Sequence, residues 1–274
     1  MNQRMVLTLL VLLFLSACGS DSAQREQDAA EALRQLGWQL MVSRQLAFDG
    51  TLACLDCHDP ATGWTDGRAV ATADGLNTPT LWGLRERTTF GWFTPEVASL
   101  EAFVLLPLAN PREMGPRDPA TLARLRADPA LAAGYAAAFP ADPDPVTWEH
   151  TALALAAAIR TIPDPPRPLL TPLAQQGQQL FAEVGCMGCH HGPTLSSEAY
   201  IHTGVGALPA RVPSLIGLAQ TAPYFHDGSA ASLLDVVRFY AEGGRGAPDA
   251  TRAIQPILLS DEDVEALVAF LLCL

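Results

Sequence analysis

The 274-residue chain has no methionine after Met187, no histidine between His58 and His150, and only six cysteines. Its apolar run from Met5 to Leu15 is too short to cross a bilayer, which takes about 20 residues of helix. No stretch alternates apolar and polar residues over a useful length, which excludes a β-sheet architecture. A net charge of −12 and a pI near 4.8 argue against nucleic acid as a partner, because phosphates reward Lys and Arg. Four cysteines fall in two short motifs, leaving Cys18 and Cys273, so no disulfide framework exists to hold the fold. Cys273 reads as a small buried hydrophobe on an apolar helix face.

The two motifs are Cys54-Leu55-Asp56-Cys57-His58 and Cys186-Met187-Gly188-Cys189-His190. Paired thiols at this spacing add across the vinyl groups of one haem, and the following histidine turns under the ring to bind iron. Two copies imply two covalently attached haems c. A zinc site would pool the two cysteine pairs without needing a histidine after each. A redox dithiol would need one pair beside a βαβ unit.

Met1-Asn2-Gln3-Arg4, the apolar run, and Leu15-Ser16-Ala17-Cys18 form an export signal that ends in a lipobox. The expectation is a leader over 1–17, lipidation at Cys18, a polar tether over 18–28, and a bacterial periplasmic protein anchored to a membrane by its N-terminal lipid. Pro163-Asp164-Pro165-Pro166-Arg167-Pro168 divides the remainder, since such a run stops a helix. An N-terminal domain over 29–162, a linker over 163–170 and a C-terminal domain over 171–274 follow.

The periodic segments are helical. Thr147–Ile159 is alanine-rich, and Ser260–Leu272 carries Val264, Leu267, Val268 and Leu271 on one face behind a serine cap. Each half repeats one order: a helix marked by Gly37-Trp38-Gln39-Leu40 or Gly177-Gln178-Gln179-Leu180, then the haem motif, a long loop region and a closing helix. The expected fold is mostly α, two cytochrome c-like helical domains each enclosing one haem.

A second axial ligand decides between electron transfer and catalysis. With no methionine after Met187, the second haem has His202, His226 or a tyrosine to draw on. His191 directly follows the proximal ligand and cannot reach the other face. The first has Met114 and Glu113 as plausible neighbours. If Met114 does not bind, that iron is five-coordinate, and a carboxylate such as Glu113 can take a proton from bound peroxide and return it to the leaving oxygen. On spacing alone Glu113 could equally be a surface carboxylate.

The ordered motifs, from Gly37-Trp38-Gln39-Leu40 and Cys54-Leu55-Asp56-Cys57-His58-Asp59-Pro60 through Asn77-Thr78-Pro79-Thr80, Asn110-Pro111-Arg112-Glu113-Met114-Gly115, Val212-Pro213-Ser214-Leu215 and Thr221-Ala222-Pro223-Tyr224-Phe225-His226-Asp227-Gly228 to Phe239-Tyr240-Ala241-Glu242-Gly243-Gly244, resemble the bacterial di-haem cytochrome c peroxidase and MauG family over most of the chain. The resemblance implies a peroxidase-type oxidoreductase that uses hydrogen peroxide. It implies a high-spin first haem with Glu113 as distal acid–base residue. It implies a six-coordinate second haem ligated by His190 and, as in MauG-type members, by Tyr240; a tyrosine packed in a helix core is the competing reading of Tyr240. Trp92 matches the tryptophan that carries electrons between the haems, although Phe93 occupies the ungapped position. Asn77, Thr221 and Pro223 match a calcium site, with the last two acting through backbone carbonyls. His226 would hold a propionate or a loop. The electron donor implied is a small cytochrome, a cupredoxin or an aromatic residue of a partner protein. A non-enzymatic di-haem electron carrier is the alternative.

The chain also departs from the family pattern. Trp92-Phe93-Thr94-Pro95-Glu96 stands where members have Trp-Asp-Gly-Arg, and Phe103 replaces a glutamine found near the distal acid. No histidine follows His58 in its loop, which suggests a first haem open in every oxidation state.

Overall fold

The structure, a computed structural model, describes residues 3–71, 75–244 and 254–274, with side chains described from Ser22 onward. Helix α1 (Gln3–Val42) opens the chain. Residues 18–28, expected as a polar tether, lie inside it. The stretch from Asp21 to Leu36 holds no proline or glycine and is rich in Ala, Gln, Glu and Arg, all good helix formers. The Cys18 side chain, and with it the lipidation expectation, lies outside the described residues. Among the described residues no helix is long and apolar enough to cross a membrane.

The other helices begin where a short polar side chain caps free backbone N–H groups. Ser99 caps α2 (Leu100–Val104). Asp118 and Asp128 cap α3 (Pro119–Ala127) and α4 (Pro129–Ala138), each followed by proline at the first helical position, where its missing N–H costs nothing. Thr147 caps α5 (Trp148–Ile159) and Thr171 caps α6 (Pro172–Glu183). Ser232 with Asp235 caps α7 (Leu233–Ala241), and Ser260 with Asp263 caps α8 (Asp261–Leu271). One antiparallel pair, β1 (Tyr200–Ile201) with β2 (Ala210–Arg211), is the only named sheet among the described residues. Cys273 lies just past α8, half-buried rather than buried, with its thiol on the Ala269 carbonyl at 3.3 Å.

Two apolar clusters form. The first gathers α1, α4 and α5 around Leu36, Leu40, Met41, Tyr135 and Leu155. The second gathers α6, α7 and α8 around Phe181, Val237, Leu267 and Phe270. This is the mostly helical, two-domain cytochrome c-like architecture.

In each half the helix before the haem motif crosses the closing helix at a glycine. A Cβ on Gly37 would stand 2.0 Å from the Ala154 carbonyl oxygen of α5. A Cβ on Gly177 would stand 1.9 Å from the Ala266 carbonyl oxygen of α8. The matched Gly-x-Gln-Leu signatures therefore mark one packing device used twice. Gly37→Ala or Gly177→Ala forces backbones apart, at an expected cost of about 1–3 kcal/mol. Thermal unfolding of the mature holoprotein measures it, and an unchanged midpoint would show that the crossing has room.

The proline-rich connection is held rather than loose. Asp164 Oδ1 accepts from the Gly83 N–H at 2.9 Å. Trp82 packs so tightly on Gly217 that a Cβ there would meet its ring at 2.3 Å. The halves also join through Glu198, which accepts from the N–H groups of Thr88 and Thr89, and through Tyr200, whose hydroxyl donates to the Phe90 carbonyl.

Candidate functional site

Both Cys-x-x-Cys stretches form a single 3-10 turn that presents the two thiols and then the histidine. His58 Nδ1 lies 3.0 Å from the carbonyl oxygen of Trp64, and His190 Nδ1 lies 3.0 Å from that of Leu195. A carbonyl only accepts, so each Nδ1 carries the proton and each Nε2 keeps its lone pair for a metal. Burial holds both imidazoles below the usual histidine range, which keeps them neutral. Trp64 (φ 60°) and Leu195 (φ 50°) sit in the left-handed region that side chains other than glycine's rarely adopt. Two unrelated residues accept the same strain to aim a carbonyl at a histidine.

The environment of the thiols disfavours the rival readings. Burial pushes Cys54 up to about 12 and Cys186 up to about 11, the reverse of the depressed values a redox dithiol needs. Among the described residues no three His, Cys, Asp or Glu side chains converge to hold a metal ion, so the two pairs do not build a zinc centre.

The second motif opens on a cavity of about 490 Å³, within the ~300–1,000 Å³ range of cofactor sites. Cys186, Cys189, His190 and Tyr240 all line it, among apolar side chains from α6, α7 and α8 such as Phe181, Val237 and Leu267. An apolar, helix-walled space with paired thiols and a lone-pair-bearing imidazole fits a covalent haem. Tyr240 sits near the end of α7, braced edge-on by Phe239 at 5.4 Å and by Phe225 at 6.2 Å. Burial first, then the cysteine charges, raise its phenol above the usual tyrosine range.

Around the first motif, Glu113 lies in the turn between Asn110 and Gly115. Asn110 Nδ2 donates to its Oε1 at 2.8 Å, and the Glu113 N–H donates to the Asn110 carbonyl at 3.0 Å. Cys57 is raised chiefly by burial and also by the charges of Asp66 and Glu113, so the Glu113 carboxylate acts electrostatically on the first motif. Met114 is buried in the N-terminal core, where Cys54, Leu55 and Trp64 pack against the same cluster. His150 is directed elsewhere: it stacks on Phe139 at 3.7 Å and its Nδ1 lies 2.8 Å from the Pro145 carbonyl. Phe103 stacks on Phe90.

Between the halves, Trp92 lines the second cavity and Phe93 does not. The Trp92 indole N–H donates to the Asn77 carbonyl at 3.1 Å, and its ring lies 5.9 Å from the Arg211 guanidinium and 6.2 Å from the His226 ring. Asn77 Nδ2 donates to the Arg68 carbonyl at 2.8 Å, turning Oδ1 away from it. Asn77, Thr221 and Pro223 line the same cavity, as does His226. Arg87 and Arg211, which the sequence gave no reason to single out, line it too. Neither belongs to a recognisable motif, and only the packing reveals that they are buried.

Two helical units, each built around Cys-x-x-Cys-His with an iron-ready imidazole, define a di-haem c-type protein. The profile described as di-haem cytochrome c peroxidase matches residues 31–168, and the cytochrome c profile matches residues 174–274. The chain belongs to the di-haem cytochrome c peroxidase family and is a peroxidase-type oxidoreductase with two covalent haems c. It is 28% identical to methylamine utilization protein MauG of Methylorubrum extorquens, over 86% of this chain and 76% of that one. It is 26% identical to cytochrome c551 peroxidase of Pseudomonas aeruginosa, over 90% and 80%. A crystal structure of a MauG-like protein associated with microbial copper homeostasis superposes with a TM-score of 0.81, at 28% identity and 89% coverage of both chains.

Proposed function

We propose that the protein uses hydrogen peroxide as oxidant at the first haem and draws electrons through the second from a protein donor. The observation that carries this reading is the Glu113 carboxylate, oriented by Asn110 and felt electrostatically by Cys57 of the first haem motif. The haems, when bound through Cys54 and Cys57 and through Cys186 and Cys189, supply the iron redox chemistry, with His58 and His190 as proximal ligands. Glu113 accepts the peroxide proton and returns it to the departing oxygen, a role suited to a partly buried carboxylate that a hydrogen bond orients. Tyr240 shares the second cavity with His190 and is the proposed sixth ligand there. A phenolate, being a hard anion, favours the oxidised metal and thus oxidation of an aromatic residue on a partner protein over turnover with a small cytochrome or cupredoxin. Trp92 bridges the halves as electron carrier.

Adding peroxide to the matured protein and recording spectra with and without reduced cytochrome c tests the reading. Peroxide-induced changes that reduced donor reverses are expected. No change, together with no carbon monoxide binding to the reduced protein, leaves only an electron carrier.

Asn77 Oδ1 with the Thr221 and Pro223 carbonyls supplies oxygen donors suited to calcium. Chelation should then lower the thermal midpoint, and metal analysis finding no calcium in the purified protein overturns the site. The domain limits 29–162 and 171–274, and a periplasmic location with lipid on Cys18, complete the proposal. Cys18→Ala should move the protein from the membrane to the soluble envelope fraction; an unchanged distribution removes the anchor.

A further inference from the structure

Arg87 is 9% exposed and Arg211 is 3% exposed, and both line the cavity that holds Cys186, Cys189, His190 and Tyr240. They come from opposite halves of the chain. Arg211 Nε donates to the Gly91 carbonyl and its Nη1 to the Val212 carbonyl, so backbone dipoles hold it. Arg87 has no such support: its Nε is buried without a hydrogen-bond partner. The carboxylate that faces the pair, Glu198, spends its Oε2 on the N–H groups of Thr88 and Thr89. Asp164, the other carboxylate whose charge reaches Arg87, is engaged by the Gly83 N–H. The two guanidiniums repel each other, and burial drives Arg87 down to about 9.

A buried, unpartnered guanidinium is retained only where an anion meets it. Arginine presents a planar fork of donors matched to carboxylates. We infer that Arg87 and Arg211 form a two-sided clamp for the propionate carboxylates of the second haem. The cofactor is then gripped by both halves, covalently by the C-terminal domain and electrostatically by the N-terminal one. Two positive charges in the cavity that would hold the second haem would also favour its reduced state, so the clamp would raise the potential that a Tyr240 ligand would lower. The inference rests on the presence of the second haem and not on the peroxide reading.

The test is spectroelectrochemical titration of the mature di-haem protein. Arg87→Gln should shift the second haem's ferric-to-ferrous ratio at fixed potential at least tenfold toward ferric, a fall of 59 mV for one electron. The first haem's potential should move less than half as far. Arg87→Lys, which keeps the charge and the volume, should recover most of the shift and covers the case in which Arg87→Gln does not mature. An unchanged second-haem potential in Arg87→Gln overturns the clamp, as does an Arg87→Lys protein whose potential falls as far as that of the glutamine variant. A wild-type titration against inorganic phosphate separates the two sources of anion. Potentials independent of phosphate support the propionates, whereas a second-haem potential that tracks phosphate concentration assigns the clamp to a free anion and overturns the inference.

Discussion

Glu113→Gln is expected to slow the reaction with peroxide by about 10²-fold or more while leaving both haem spectra in the resting protein unchanged. The substitution is nearly isosteric. The Gln carbonyl still accepts from Asn110 Nδ2, and the backbone hydrogen bond to the Asn110 carbonyl is untouched. What is lost is the ability to take up a proton, which an amide lacks near neutral pH. Stopped-flow mixing of the mature protein with peroxide reads the effect as a second-order rate constant. Because the turn geometry survives, thermal stability should stay within about 0.5 kcal/mol of wild type. A wild-type rate in this variant would remove Glu113 from the chemistry and return it to the role of a surface carboxylate.

Tyr240→Met should raise the potential of the second haem by well over one tenfold step in the ferric-to-ferrous ratio, which is 59 mV for a one-electron couple. The reason lies in charge. Burial disfavours the Tyr240 phenolate, so the proton leaves only when a cation replaces it, as for any ligand that binds in deprotonated form. As the proposed ligand, the oxygen anion would stabilise ferric iron, whereas a thioether is neutral and raises the potential. Methionine also fits the space between Phe225 and Phe239, because its unbranched chain adapts to irregular gaps. The same variant should lose its peroxide-induced spectrum faster, since the second site no longer holds an oxidising equivalent. A potential equal to that of wild type would mean that Tyr240 packs in α7 without touching iron.

Much of this architecture was legible from local chemistry. The capped helices α5 and α8 and the repeated glycine signature could be read because each depends on a few neighbouring residues. Helices α3 and α4 carry start signals at Asp118-Pro119 and Asp128-Pro129, but their alanine-rich bodies lack the sharp apolar stripe that makes a helix legible. The polarity of segment 18–28 points to a tether, while its helix propensity accounts for its place inside α1. The haem-attachment residues stand out as a motif, whereas Glu113 and Tyr240 are singled out only by ordered resemblance, and their roles belong to the proposed function. The burial of Arg87 and Arg211 was not legible, because it arises where two halves 124 positions apart in sequence close on one cavity. Nor did the sequence show that Trp92 rather than Phe93 faces that cavity, since side-chain direction in an irregular loop depends on the packing of Asn77 and Arg211 around it.

The carbonyls of Trp64 and Leu195 orient the two histidines without using either side chain. An indole and an isobutyl group are thereby interchangeable in this duty, because what is transmitted is a torsion angle. Drift at these two positions can change size, polarity and aromaticity while each imidazole keeps its heading. Glycine would satisfy the same torsion with less strain but would widen the range of angles available, so the ligand would wander. Each half thus stores its aim in the backbone, where two diverging sequences can go on agreeing without resembling one another.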